Sequence, residues 1–221
     1  MKFQAAIFDM DGTLINSLMF WDKFWERLGL EYLYKKGYKP DQKVDKAVRT
    51  MILSDAAIYF NKACGINVSN DEIVDYSTRE LEHFYRTEAS VKRGAIELLE
   101  SLTDKGIKKC VASATDAKYV KIALRCLGLD KYFDTILSCS EIGYGKDRPD
   151  VYFAAQRALG YEVEQTVVFE DVPLALTTAK TAGFFTVGVY DKHNFNPELV
   201  KEMSDLYIAD GDSLESAIKL F

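Results

Sequence analysis

Two aspartates one residue apart, Asp9 and Asp11, close the apolar run of IFDMDGTL at residues 7–14. Carboxylates this close repel one another, so the pair implies a bound cation or two different protonation states, with one acid free to attack while the other handles a proton. Gly12 follows, and it lets the backbone turn and its N–H groups approach an anion. Further along lie Ser113 after KKCVA, Lys146 in the loop after TILSC, and Glu170 with Asp171 after TVVF. A hydroxyl and an ammonium can hold a phosphoryl group, and the last two acids suit magnesium, a hard cation that prefers oxygen ligands. Singly these residues are ordinary: Ser113 reads as a helix N-cap, Lys146 as a solvated loop lysine, and Glu170 with Asp171 as acids at the positive end of a helix dipole. What sets them apart is that four strand ends carry one chemistry.

The elements that must position them are short apolar runs at 5–8, 108–114, 135–139, 166–171, 184–190 and 206–210. They lack clean alternation, as strands of a parallel sheet covered on both faces do. Between them lie helical patterns. RGAIELLESLTDKG places Ile96, Leu99 and Leu102 at helical spacing before Gly106, and two further patterns close on Gly128 and Gly160. Alternating strand and helix predicts an α/β fold, a Rossmann-like doubly wound parallel sheet.

Residues 17–89 break that rhythm. SLMFWDKFWERLGL carries Leu18, Trp21, Phe24, Trp25 and Leu28 on one helical face, and DKAVRTMILSDAAIYFNKACGI is helical over most of its length. The expected organisation is a catalytic core of 1–16 and 90–221 with an inserted all-helical cap of 17–89, hinged near Leu14–Leu18 and Ser90–Gly94. The aromatic stripe of Trp21, Trp25, Tyr32 and Tyr34 reads as cap core rather than as a substrate platform.

Composition narrows the partners. With 28 basic against 34 acidic residues, a net charge of -6 and no basic run, the chain lacks the clustered positive face that nucleic acid requires. Cys64, Cys110, Cys126 and Cys139 are spaced for neither zinc nor a disulfide framework and read as reduced, mostly buried thiols. No apolar run approaches signal-peptide or transmembrane length, so the expectation is a cytoplasmic protein with no membrane partner.

Together these motifs resemble the haloacid dehalogenase superfamily, in its phosphatase and β-phosphoglucomutase-like branch with a helical cap. FDMDGT is similar to motif I, Ser113 in VASAT to motif II, Lys146 in GKDRPDVY to motif III, and EDVPLALTTAKTAG to motif IV. The resemblance implies Asp9 as a nucleophile that forms an aspartyl-phosphate and Asp11 as the acid/base. It implies Ser113 and Lys146 as phosphoryl holders, with Gly12, Thr13 and Ala114 as substrate contacts. Mg2+ would sit on Asp9, the Asp11 backbone carbonyl and Asp171, with Glu170 a ligand or a partner of bound water. The presence of Asp11 favours phosphate esters over organohalides, because a halide leaves without a proton.

The implied activity is Mg-dependent phosphohydrolysis of a small phosphorylated metabolite. The alternatives are a sugar phosphomutase and a non-catalytic protein that retains the fold. Mutases of this branch carry a histidine where this chain has Trp21, and His83 and His193 lie elsewhere, as surface residues by expectation. The chain departs from the family pattern at Asn16, at Arg93, and at Asp147–Arg148, which separate Lys146 from Pro149 and put its placement in question. Arg49 is a candidate for a remote substrate phosphate or carboxylate, against the alternative of an exposed helix arginine.

Overall fold

A computed structural model describes residues 3–49, 51–66 and 68–221. The chain opens with β1 (Ala5–Phe8) and the short β2 (Ile15–Asn16), then runs through four helices, α1 (Met19–Leu33), α2 (Gln42–Val48), α3 (Leu53–Cys64) and α4 (Asn70–Thr87). It re-enters the sheet region through β3 (Ser90–Val91), followed by α5 (Ala95–Asp104), β4 (Lys108–Ser113), α6 (Ala117–Cys126), β5 (Thr135–Ser138) and α7 (Cys139–Ile142). The remainder alternates as α8 (Asp150–Leu159), β6 (Thr166–Glu170), α9 (Pro173–Thr181), β7 (Phe185–Val189), α10 (Pro197–Met203) and β8 (Leu206–Ile208).

Six parallel strands lie in the order β5-β4-β1-β6-β7-β8. The chain leaves β1 toward β4 on one side and returns to β6 on the other, so the order reverses at β1. That reversal opens a crevice beyond its carboxyl end. All four β1 residues are fully buried, and alternate ones serve different cores. Ala5 and Ile7 pack with Val151, Tyr152 and Ala155 of α8, whereas Ala6 and Phe8 share a cluster with Leu98 and Leu99 of α5 and Val120 of α6. Burying each large side chain contributes about 1.5–3 kcal/mol, so an uninterrupted apolar run is what a strand covered on both faces requires.

All six expected strands are present, and Gly106, Gly128 and Gly160 have positive φ where the helical patterns stop. Four details differ from the sequence expectations. Ile96 is 39% exposed, and the buried face of α5 is Ala95, Leu98, Leu99 and Leu102. The stretch 45–66 is helical over most of its length, as expected, but divides between two helices: α2 ends at Val48 and α3 begins at Leu53, which lets Val44 and Val48 share a core with Ala56, Ala57 and Phe60. Cys126 is exposed, while Cys110 and Cys139 are buried, and all four thiols are free. The fourth is the antiparallel ribbon of β2 and β3, with Ile15 opposite Val91 and Asn16 opposite Ser90. Two residues per strand are too few to show any period. The ribbon ties the two chain crossings at which the helical insertion departs and returns, and Asn16 Nδ2 reinforces it by donating to Ser90 Oγ at 3.1 Å. Among the described residues, no helix is long and apolar enough to cross a membrane.

Candidate active site

The site forms where β1, β4 and β6 end. Asp9 N–H continues the ladder to Phe169 O at 2.9 Å, and the Met10 carbonyl then accepts from the N–H groups of Leu14 and Ile15, at 2.9 and 3.1 Å, closing a tight turn. Gly12 sits in that turn with φ +86°, and a Cβ there would lie 2.3 Å from Asp171 Oδ2. Glycine is therefore required twice, by the backbone conformation and by the approach of the β6 acid. Thr13 Oγ1, fully buried, donates to Asp171 Oδ1 at 3.2 Å and joins the two strand ends.

Asp9, Glu170 and Asp171 are all buried, and each offers a carboxylate oxygen within 4.8 Å of the others. Lys146 Nζ donates to both Asp9 and Glu170. Tyr152 OH donates to Glu170 Oε1 at 3.0 Å, and Asn194 Nδ2 donates to Asp171 Oδ2 at 3.2 Å. Asp147 and Arg148 do not displace the lysine. The Arg148 side chain turns outward, pairing with Asp150 at 3.0 Å and lying 3.7 Å over the Tyr144 ring.

Asp11 takes a different environment. Tyr85 OH, from α4, lies 2.8 and 3.0 Å from its two carboxylate oxygens, and Thr115 Oγ1 donates to Oδ2 at 2.9 Å. Ser113, at the end of β4, is 1% exposed, and its hydroxyl accepts from Thr115 N–H at 3.1 Å. It is not the N-cap of the next helix; Asp116 holds that position, accepting from Lys118 N–H at 2.9 Å. Ala114 is half-buried and lines the same cavity as Asp9, Asp11, Ser113 and Lys146.

Burial dominates the acids. It raises Asp9 above the usual carboxylate range, with Lys146 opposing and the charges of Glu170 and Asp11 adding to the rise. Asp171 is pushed well up by burial and then by Asp9 and Glu170. Asp11 is raised by burial against the hydrogen bonds it accepts, among them those from Tyr85 and Thr115. Burial disfavours the Lys146 charge, yet Asp9 and Glu170 outweigh it and hold the ammonium protonated. Burial and the Asp11 charge keep Tyr85 a phenol, and so a donor. Three buried acids around one lysine exceed its charge once they ionise, and an all-oxygen donor set of this kind fits a hard divalent cation that replaces their protons.

Arg49 lies at the C-cap of α2 and is half-buried rather than exposed. Its Nε and Nη2 donate to the two Asp45 oxygens at 2.7 and 2.8 Å. It lines the cavity with its charge already matched. Trp25 is core at 1% exposure, but Trp21 is half-buried beside it and both line the cavity, while Tyr34 is 91% exposed. His83 is at the surface, whereas His193 is half-buried with Nδ1 3.5 Å from Asp22 Oδ2.

Tyr85, Thr115, Tyr152 and Asn194 are not among the residues that the sequence motifs mark. Thr115 stood two residues from Ser113 and could have been found by its hydroxyl. Tyr85 reads as one more core aromatic on an amphipathic helix, and only its tertiary position gives it Asp11 as a partner.

A family model described as haloacid dehalogenase-like hydrolase matches residues 3–183. Validoxylamine A 7'-phosphate phosphatase from Streptomyces hygroscopicus subsp. limoneus is 28% identical over 200 residues, covering 87% of this chain and 88% of that protein. A phosphorylated carbohydrates phosphatase from Thermotoga maritima is 27% identical, covering 81% and 82%. The crystal structure of CbbY from Rhodobacter sphaeroides in complex with phosphate superposes with a TM-score of 0.81 at 20% identity, covering 97% of this chain and 96% of that one. At that identity, the structural match bears on the fold alone.

Proposed function

Because the chain belongs to the haloacid dehalogenase-like hydrolases, we propose that it is a Mg2+-dependent phosphatase of small phosphorylated metabolites working through an aspartyl-phosphate. The observation that carries the proposal is the division of the strand-end acids. Asp9 shares Lys146 and a buried carboxylate cluster, and Asp11, two residues on, is held apart by Tyr85 and Thr115. The names of the relatives, both phosphatases of phosphorylated small molecules, support the same class.

Asp9 attacks phosphorus and the P–O ester bond breaks. The departing alkoxide takes a proton from Asp11, whose raised pKa suits it to carry one. Asp11, now ionised, takes a proton from water, and that water attacks the aspartyl-phosphate to release inorganic phosphate and regenerate Asp9. Ser113 and Lys146 steady the phosphoryl oxygens, and Gly12, Thr13 and Ala114 shape the pocket around them. Asp9 and Asp171, with Glu170 and the Asp11 carbonyl, would hold the cation, which when bound neutralises phosphoryl charge. Residues 17–89 form the cap, with the β2–β3 ribbon at its hinge, and closure excludes water from the first step.

The test is phosphate release from a panel of phosphate monoesters with and without Mg2+. Cation-dependent release is expected. An isomerised sugar phosphate without free phosphate would replace hydrolase by mutase, and no turnover of any ester would sink the enzyme assignment.

Cation binding has its own pH signature. The native chain holds protons on Asp9 and Asp171 that the unfolded chain releases in the ordinary carboxylate range, so metal-free stability falls as pH rises from that range toward their raised values. A cation that replaces those protons restores the loss. The increase in melting temperature on adding Mg2+ is expected to be larger at about pH 8 than at about pH 5.5. Equal shifts at both would contradict the carboxylate cluster as the binding site.

Tyr85→Phe removes a 2.8 Å donor from Asp11 while keeping the buried ring. Hydrogen bonds to charged groups contribute about 1.5–3 kcal/mol, so a fall in kcat of roughly 10- to 100-fold is expected, with a fall in melting temperature of a few degrees. Unaltered kcat would remove Tyr85 from the acid/base environment.

A further inference from the structure

Between β7 and α10 the chain makes a short loop, residues 190–196, that touches both the core and the helical insertion. Its first half is tied to the turn that carries Asp9 and Asp11. The Asp191 side chain, 6% exposed, accepts from Lys92 Nζ at 2.9 Å, and the same ammonium donates to the carbonyls of Gly12 and, at 2.9 Å, Tyr190. Asp191 Oδ1 accepts from the His193 N–H at 2.8 Å, and the Asp191 carbonyl accepts from the Asn194 N–H at 3.1 Å. Residues 193–195 therefore start from a point fixed on the core.

Asn194 faces the carboxylate cluster. Its Oδ1 accepts from the Phe195 N–H at 2.8 Å, which turns Nδ2 toward Asp171, and Nδ2 donates to the Asp171 carbonyl and, at 3.2 Å, to Oδ2 of the same residue. One amide thus fixes the carboxylate relative to its own backbone, which is how groups behind a metal ligand orient it. The residues on either side of Asn194 meet the insertion instead. Arg49 Nη1 donates to the His193 carbonyl at 3.4 Å, and His193 Nδ1 lies 3.5 Å from Asp22 Oδ2. The Arg49 guanidinium and the Lys46 ammonium lie 4.6 and 5.2 Å from the Phe195 ring centroid, where the ring quadrupole attracts them.

We propose that Asn194 is a positioning residue for Asp171, and that the clasp of Phe195 by Arg49 and Lys46 holds it there, so that packing of the insertion onto this loop tightens Mg2+ binding. The proposal rests on the cation site of the proposed phosphatase and adds a link between that site and the cap. The link is reciprocal: a cation that binds better with the clasp made also favours the clasp.

The experiment titrates Mg2+ into the metal-free full chain, without substrate, and reads Kd by calorimetry, each variant first being checked for an intact melting transition. Asn194→Leu keeps the volume and loses the donor, and is expected to raise Kd by roughly 10- to 100-fold, with Asn194→Ala in reserve should the leucine not fold. Arg49→Met is expected to raise Kd by roughly 3- to 30-fold in the parent and to add nothing in Asn194→Leu, because its effect passes through Asn194. The sign is diagnostic, since loss of a positive charge by itself favours a nearby cation and would lower Kd. Phe195→Leu changes no charge, is expected to raise Kd over the same range, and carries the test if Arg49→Met does not fold. Absence of Mg2+ binding by the parent would overturn the cation site itself. Binding by the parent with an unchanged Kd in the folded Asn194 variant would overturn the positioning role alone. A raised Kd there, with Kd unchanged or lower in Arg49→Met and Phe195→Leu, would overturn the link to the cap.

Discussion

Replacing Asp9 by asparagine is expected to lower kcat/KM for phosphate release by roughly 10⁴-fold or more, the scale on which removal of a covalent nucleophile acts in other hydrolases. The substitution is nearly isosteric, so the turn through Gly12 and the ladder bond from the Asp9 N–H to Phe169 O remain. An amide oxygen is a far poorer nucleophile than a carboxylate, and no phosphoenzyme accumulates. Stability moves the other way or not at all in the metal-free protein. Burial disfavours the Asp9 charge, and Lys146 keeps Glu170 as a partner. Steady-state kinetics alongside melting curves separate the two effects. A folded Asp9→Asn protein that retains turnover within about tenfold of the parent would remove Asp9 from the role of nucleophile.

Lys146→Met is expected to lower both stability and activity. The lysine side chain is 11% exposed between Asp9 at 8% and Glu170 at 0%, so its removal leaves buried carboxylates facing Asp171 with no opposing ammonium. Breaking a buried pair in this way costs about 3–5 kcal/mol, which for a chain of this size is a fall in melting temperature of order 10 °C. Mg2+ supplies the missing positive charge and is expected to recover part of that loss. On the proposed role of Lys146 in holding the phosphoryl group, kcat is expected to fall by about 10²- to 10³-fold even with the cation present. Melting curves with and without Mg2+ read the first effect and initial rates the second. An unchanged melting temperature without Mg2+ would mean that Lys146 is not the counter-charge of the cluster.

Much of the candidate site was legible because four of its members end apolar runs. Asp9, Ser113, Glu170 and Asp171 all follow hydrophobic segments that could only be buried strands, and parallel strands bring their carboxyl ends to one edge. Helix edges were less legible. Ile96 fits a helical face as well as Leu98 does, and only the packing of α5 against the sheet selects the latter. The α2–α3 break was hidden because apolar residues continue through it, and the β2–β3 ribbon because two residues carry no period.

Local sequence therefore determined the alternation of strand and helix, the helical insertion after motif I, and the residue types at the strand ends. These follow from hydrophobic period and from glycine and carboxylate chemistry, which act over a few residues. Tertiary structure alone decided what those residues face. Tyr85 reaches Asp11 across 74 positions of sequence, Lys146 reaches Asp9 across 137, and Arg49 turns its charge to Asp45 instead of to the cavity. Such pairings depend on how the insertion packs over the sheet, and the pattern that makes a helix amphipathic does not specify which aromatic on its buried face will meet a carboxylate.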